Sequence, residues 1–242
     1  MTQNIYDDET FFAGYSRLPR SVEGLDGAPE WPALRGLLPE LRGKRVLDLG
    51  CGFGWFCRIA AEQGASHVLG VDVSERMLAR ARAETSNPAV RYLRADLEAF
   101  APDEGAFDLV YSSLAFHYLE KLDALLARVH AALAPGGRLV FSAEHPIYTA
   151  PSHPRFIDMD GRRAWPVNGY LDEGPRMTDW LAKGVIKQHR TIGTYVELLL
   201  RAGFTIAHIE EWGPGHAQVV AHPEWAEERE RPMFLIMACE RR

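Results

Sequence analysis

From Lys44 onward, short apolar runs alternate with stretches of helical periodicity. Val46-Leu47-Asp48-Leu49 is an apolar run ending in glycines, the pattern of a buried strand followed by a turn. Residues 55–63 read as a helix stopped by Gly64, and residues 67–72 as a second strand. Ser74 caps a helix over 74–82, residues 90–96 form a third strand, and residues 107–112 a fourth. A helix from about Asp123 to Ala134, a Pro135-Gly136-Gly137 turn and a fifth strand over 138–142 follow. Repeated strand–helix units of this length predict an α/β fold, a mainly parallel sheet with helices on both faces.

Two stretches break the rhythm. The segment up to about Arg42 is irregular and rich in Pro, Gly and aromatics, with one short helix at 31–38 marked by apolar residues at 31, 34, 37 and 38. Residues 144–190 hold 5 of the 15 prolines together with Trp165 and Trp180. A helix over 193–202, stopped by Gly203, and two closing strands at 204–212 and 233–239 complete the pattern.

Composition narrows the classes. The 242 residues carry 27 basic and 33 acidic side chains, a formal net charge of −6, which argues against a large phosphate-binding surface and against a nucleic-acid partner. Three cysteines, Cys51, Cys57 and Cys239, show no CxxC or His/Cys ligand spacing, so neither a disulfide framework nor a metal site is expected. The acidic amino terminus has no apolar signal core, and no apolar run approaches the roughly 18 residues of a membrane span. A cytoplasmic protein without a membrane partner is the expectation.

The chemistry concentrates in Asp48-Leu49-Gly50-Cys51-Gly52-Phe53-Gly54, a strand, a glycine-rich turn and a helix start. Glycines let the backbone approach a ligand closely, and the helix N-terminus favours negative charge nearby. Asp72 ends the second strand, where a carboxylate can accept both hydroxyls of a ribose. Asp96 ends the third, where it can accept from an exocyclic amine while the Leu97 N–H donates to a ring nitrogen. Three acids at successive strand positions, joined to the glycines, mark a nucleotide crevice at the carboxyl edge of the sheet.

With these residues the chain resembles the class I S-adenosylmethionine-dependent methyltransferases, in their small-molecule branch of the type 11 kind. Asp48 to Gly54 is similar to the family's DxGxGxG motif, residues 71–74 to its ribose-binding strand end, and residues 94–97 to its adenine-binding step. Residues 107–118 resemble the fourth motif and 133–139 the turn into the fifth strand. The resemblance implies a doubly wound seven-stranded sheet of order 3-2-1-4-5-7-6 with an antiparallel seventh strand, and S-adenosylmethionine as cofactor. It implies one domain: a cover over 1–43, a cofactor-binding core over 44–143, a substrate lid over 144–190, and closing strands over 191–242.

The family pattern assigns cofactor contacts to Asp48, Gly50, Cys51, Gly52, Gly54, Asp72, Val73, Met77, Asp96, Leu97, Ser112 and Ser113. Tyr15 is expected to close the pocket and Arg20 to pair with the methionine carboxylate. Three histidines near strand ends, His117, His145 and His189, are the candidates for substrate contact or general base. Tyr148, Trp165 and Trp180 are candidates for an aromatic acceptor wall; a homodimer contact is the other use for that insert.

The expected reaction is in-line displacement of the sulfonium methyl onto O or N of a small acceptor, promoted by positioning and desolvation. No Asn/Asp-Pro-Pro-Tyr/Phe run follows the fourth strand, which disfavours amide- and nucleobase-amine-modifying groups. No cysteine stands there either, so a covalent cytosine mechanism lacks its nucleophile. An NAD(P)-dependent oxidoreductase or epimerase is the alternative enzyme, opposed by the GxGxG spacing and by Asp96. A non-catalytic S-adenosylmethionine-binding protein is the third reading.

Overall fold

A computed structural model describes residues 3–242. The central sheet is built from β1 (Arg45–Leu49), β2 (His67–Asp72), β3 (Val90–Arg94), β4 (Phe107–Ser113) and β5 (Leu133–Glu144). After these come two hairpins, β6 (Ile157–Met159) with β7 (Arg162–Ala164), and β8 (Gly174–Trp180) with β9 (Ala182–His189). Strands β10 (Thr205–Trp212) and β11 (Phe234–Glu240) then close the sheet, whose order is β10-β11-β5-β4-β1-β2-β3. β1 to β5 pair in parallel, while β11 runs antiparallel to both neighbours. This is the expected 3-2-1-4-5-7-6 order, with β11 and β10 in the last two places.

The helices, in chain order, are α1 (Glu9–Tyr15), α2 (Pro19–Val22), α3 (Trp31–Gly36), α4 (Trp55–Glu62), α5 (Glu75–Ala83), α6 (Leu122–Ala132), α7 (Pro146–Thr149), α8 (Ile192–Arg201) and α9 (His216–Ala221). Strict period-two alternation in the strands feeds two cores. Leu47, Val110, Phe141 and Met237 pack with residues of α6 and α8 on one face. Val46, Tyr111, Val140 and Ile236 pack with Trp31, Ala60 and Leu78 of α3, α4 and α5 on the other. Burial on both faces is why these strands read as near-continuous apolar runs. Among the described residues no helix is long and apolar enough to cross a membrane.

Three expectations change. α6 stops at Ala132, because Leu133 already pairs with Phe107; the Pro135-Gly136-Gly137 stretch is absorbed as a register shift inside β5 rather than standing as a turn before it. The amino-terminal segment, expected to be irregular, carries α1, whose start is capped when the Asp8 side chain accepts the Phe11 N–H. The insert, expected to be a loop, is largely two hairpins. Alternation in β9 turns Val185, Lys187 and His189 inward and buries all three.

Cover and insert meet over the sheet's carboxyl edge. Gln3 donates from Nε2 to the Gly184 carbonyl at 2.9 Å and accepts the Ile186 N–H at 2.9 Å, so its side chain joins β9 as a strand neighbour would. Phe11 is fully buried and meets Tyr6 and Trp180 edge to face.

Candidate active site

The glycine loop is fixed to β2 before any ligand is considered. Gly50 and Cys51 both donate their N–H to the Val71 carbonyl, at 2.8 and 3.0 Å. Gly50 has φ +76°, and a Cβ there would stand 2.5 Å from Ala115 Cβ, so only glycine fits. Asp72 accepts the Gly52 N–H at one carboxylate oxygen and the Ser74 N–H at the other, each at 2.9 Å. The loop, the end of β2 and the cap of α5 are thereby one rigid piece.

A cavity of about 300 Å³ opens above it. Asp48, Gly50, Cys51, Gly52, Asp72, Val73, Met77, Asp96, Leu97 and Ser113 all line the cavity. Tyr15 and Arg20 come down from the cover, while Tyr148 and Trp180 come from the insert. His117, just past β4, is also in the wall.

Five candidates do not line this cavity, each for a visible reason. Gly54 packs under Tyr92; a Cβ would fall 2.1 Å from the Tyr92 hydroxyl, so the glycine serves helix–sheet packing. Ser112 is buried and donates to the Leu49 carbonyl at 2.8 Å, tying β4 to β1. His145 caps α7, accepting the Ile147 N–H at Nδ1 and placing Nε2 2.9 Å from Glu211. His189 accepts from the Thr149 hydroxyl at Nδ1 and donates from Nε2 to the Tyr170 carbonyl, at 2.8 and 2.9 Å. Trp165 donates to the Ile147 carbonyl at 2.9 Å and stacks on Tyr148 from behind. The histidine signal failed here because a strand-end histidine satisfies turns and caps as readily as it meets a ligand.

Arg20 also departs from its expected use. Its two terminal nitrogens lie 3.1 and 3.2 Å from the two oxygens of Glu30, a bidentate pair whose acid is fully buried. The charge expected to be free for a methionine carboxylate is thus neutralised within the cover.

His117 is the histidine left facing the cavity. Its Nδ1 accepts the Glu144 N–H at 3.2 Å, which places the ring proton on Nε2. Burial pushes its pKa down to about 4, beyond what the neighbouring Glu144 recovers. It presents a neutral N–H donor to the cavity, and its one free lone pair is taken by the Glu144 N–H. Asp48 behaves oppositely: burial raises its carboxyl to about 7, partly offset by the Cys57 thiol, which donates to Oδ2 at 3.2 Å. Glu30, Tyr118, Glu144 and Lys187 were not among the candidates. Lys187 had a signal, since it shares the inward register of β9 with Val185 and His189.

Residues 46–137 match a family model described as a methyltransferase domain. An S-adenosylmethionine-dependent methyltransferase from Mesorhizobium loti is 59% identical and superposes with a TM-score of 0.87, covering 90% of this chain and all of that one. The chain belongs to the class I S-adenosylmethionine-dependent methyltransferases. An uncharacterised protein of Haemophilus influenzae is 34% identical over 97% of this methyltransferase and 95% of its own length. A malonyl-[acyl-carrier protein] O-methyltransferase of Enterobacter lignolyticus is 35% identical over 62% of the chain, which spans about half (54%) of that enzyme. S-adenosylmethionine is the cofactor of this methyltransferase, and the positive-φ glycine loop with the Asp72 carboxylate forms a cradle suited to it.

Proposed function

We propose that this methyltransferase moves the sulfonium methyl to O or N of a small-molecule acceptor held beneath the cover and the insert. The observation that carries the reading is one cavity lined by two different sets of residues. The glycine loop and the ends of β1 to β3 supply one set of lining residues; His117 and Tyr118 after β4, Glu144 at the end of β5, and Tyr148 and Trp180 of the insert supply another. Gln3 closes the roof between cover and hairpin. A roofed cavity of about 300 Å³ suits a small molecule better than a duplex or a folded partner.

In this reading Asp72 holds the ribose diol, Asp96 and the Leu97 N–H read the adenine, and Val73 and Met77 pack against its ring. Gly50, Cys51 and Gly52 let the chain pass close to the methionine moiety, with Asp48 beneath it. The bound cofactor supplies an electrophilic methyl that needs no further activation. The chain's own work is to exclude water, to aim the acceptor and to donate from His117 Nε2. The unpaired, buried cysteines suit a reducing cytoplasm.

Calorimetry with S-adenosylhomocysteine on the wild type and on Asp72→Ala tests the cofactor roles. The variant is expected to bind about ten- to hundredfold more weakly, the cost of losing hydrogen bonds to a charged acceptor. An acceptor panel scored for S-adenosylhomocysteine release tests turnover. Tight nicotinamide dinucleotide binding in place of S-adenosylhomocysteine would overturn the reading.

A further inference from the structure

Glu144, the last residue of β5, reaches the acceptor end of the cavity with one oxygen engaged and one not. Oε1 accepts from Lys187 Nζ at 2.5 Å. Lys187 is itself 4% exposed, and its ammonium sits 5.0 Å above the Trp180 ring, so the pair is fixed between β5 and β9. Oε2 is buried with no hydrogen-bond partner among the described residues. Leaving a buried carboxylate oxygen without a donor costs stability, and the side chain that carries it stands in the cavity wall, where a ligand can supply that donor. Burial alone would raise the Glu144 carboxyl, but His117 when charged, together with Lys187 and Arg231, holds it below the usual range. With His117 neutral near pH 7, the 2.5 Å pair with Lys187 is what keeps Glu144 ionised, an anchor rather than a proton acceptor.

The chemistry of the surrounding wall narrows what can supply the donor. Asp48, Asp72, Asp96 and Glu144 all face the cavity, whereas Arg20, the one lysine or arginine among its described lining residues, is committed to Glu30. An anionic acceptor would face the unpartnered Oε2, and the cation beside it, Lys187, is already engaged by Oε1. The rings of Tyr6 and Tyr15, in edge contact at 5.2 Å, are instead suited to a cationic group.

We propose that Glu144, positioned by Lys187, selects a methyl acceptor by a protonated amine that donates to Oε2 as an anchoring group; the ammonium has no lone pair, so the methyl goes to another atom of the acceptor. The proposal rests on the methyltransferase reading above and adds the acceptor's chemical class: an organic amine rather than a carboxylic acid. Lys187 acts through Glu144, as a positioning residue.

The test uses the full chain saturated with S-adenosylhomocysteine, titrated calorimetrically with a series of primary arylalkylamines and the arylalkyl carboxylates of matching size. At least one amine is expected to bind tenfold or more tightly than its matched acid. Glu144→Gln should cost that amine at least tenfold in affinity, and Glu144→Asp should restore part of the loss, with S-adenosylhomocysteine binding reporting that each variant is folded. The proposal is overturned if the acids bind as well as the amines, if no amine binds the saturated wild type, or if Glu144→Gln leaves amine affinity unchanged. The amine-against-acid comparison on the wild type decides the matter even if Glu144→Gln fails to fold. Failure of the wild type to bind S-adenosylhomocysteine at all is a distinct result, and it removes the methyltransferase reading together with this one.

Discussion

Asp7 accepts a hydrogen bond from the Ser74 hydroxyl at 2.5 Å, so the amino-terminal cover is fastened two residues beyond Asp72. The same carboxylate oxygen accepts the Arg76 N–H at 3.1 Å, and Ser74 Oγ accepts the Met77 N–H that caps α5. Burial works against the ionised Asp7, but the hydrogen bonds from Ser74, Arg76 and Asn4 outweigh it and lower its pKa. Asp7→Ala is therefore expected to loosen the roof where the ribose would sit. S-adenosylhomocysteine affinity should fall roughly three- to tenfold, with about 1 kcal/mol lost from folding stability. Calorimetry and urea unfolding measure the two; an unchanged affinity would show that the cover is not coupled to the cofactor end.

Gly50 offers a sharper steric test. A methyl group there meets Ala115 Cβ at 2.5 Å in a backbone already at φ +76°. Gly50→Ala should lose about 2 kcal/mol or more of stability, combining left-handed strain with overpacking, and should weaken cofactor binding as well. Gly36, whose added Cβ would meet nothing within 4 Å, is the control. Gly36→Ala should be neutral or stabilising by about 0.5 kcal/mol. Thermal unfolding of the pair, run side by side, separates a crowded loop from a general intolerance of alanine.

What was legible from sequence is the placement of residues whose position is set locally. Asp72 ends β2, Asp48 stands one residue before the end of β1, and Asp96 lies two residues past β3, which stops at Arg94 rather than at the expected Asp96; glycine turns and alternation mark where strands stop, and the parallel sheet brings all three acids to one edge. Of the three candidate histidines, His117 lines the cavity and the other two do not. His145 and His189 have the sequence neighbourhood of an active site, yet both ring nitrogens of each are used within the fold. Glu144 and Lys187 lie 43 positions apart and meet only because β9 folds back over the end of β5. Helix α1 was visible in principle: Asp8 is an N-cap, and Phe11 and Tyr15, four residues apart, stack on each other.

The buried Asp48 carboxyl gives the protein a pH-dependent stability. Its folded pKa of about 7 lies above the ordinary aspartate value, because burial disfavours the charged form. The folded state thus holds a proton that the unfolded chain releases, and stability falls as pH rises from about 4 to about 7, then levels. Asp72 is raised by burial too and acts in the same direction. Asp48→Asn should flatten this fall and stabilise the protein at pH 8 by a few kcal/mol, at ~1.4 kcal/mol per unit of pKa. Denaturant midpoints taken at pH 5, 6, 7 and 8 provide the check; parallel slopes for wild type and variant would contradict the assignment.

His117 should be silent across the physiological range. With Nδ1 accepting the Glu144 N–H and a pKa near 4, the ring stays neutral with its proton on Nε2. Nitrogen NMR of labelled imidazoles should show one slow-exchanging Nε2–H tautomer with no titration between pH 5 and 8. His117→Asn, which keeps a donor, should retain more acceptor turnover than His117→Ala. A midpoint near 6.5 would return His117 to the role of general base.

Arg231 supplies the last test, at the outer wall of the insert. Its guanidinium lies 4.1 Å from the Trp165 ring centroid, 4.4 Å from Tyr148 and 5.3 Å from Phe156, and one nitrogen is 2.9 Å from Glu228. Tyr148 is the one of these rings that also lines the cavity, so the cage couples the segment before β11 to the acceptor end. A desolvated cation over aromatic faces contributes about 2 kcal/mol, and removing it leaves three rings without their common partner. Arg231→Met keeps much of the packing and drops the charge. It should cost about 1–3 kcal/mol in stability and raise tryptic cleavage at Arg155, Arg162 and Arg163, around and within the β6–β7 hairpin. S-adenosylhomocysteine affinity should stay within about twofold, because none of the cofactor-end residues touches the cage. Equal cleavage rates in wild type and variant would mean that the hairpin is held by its own pairing, and that the guanidinium is packed there without restraining it.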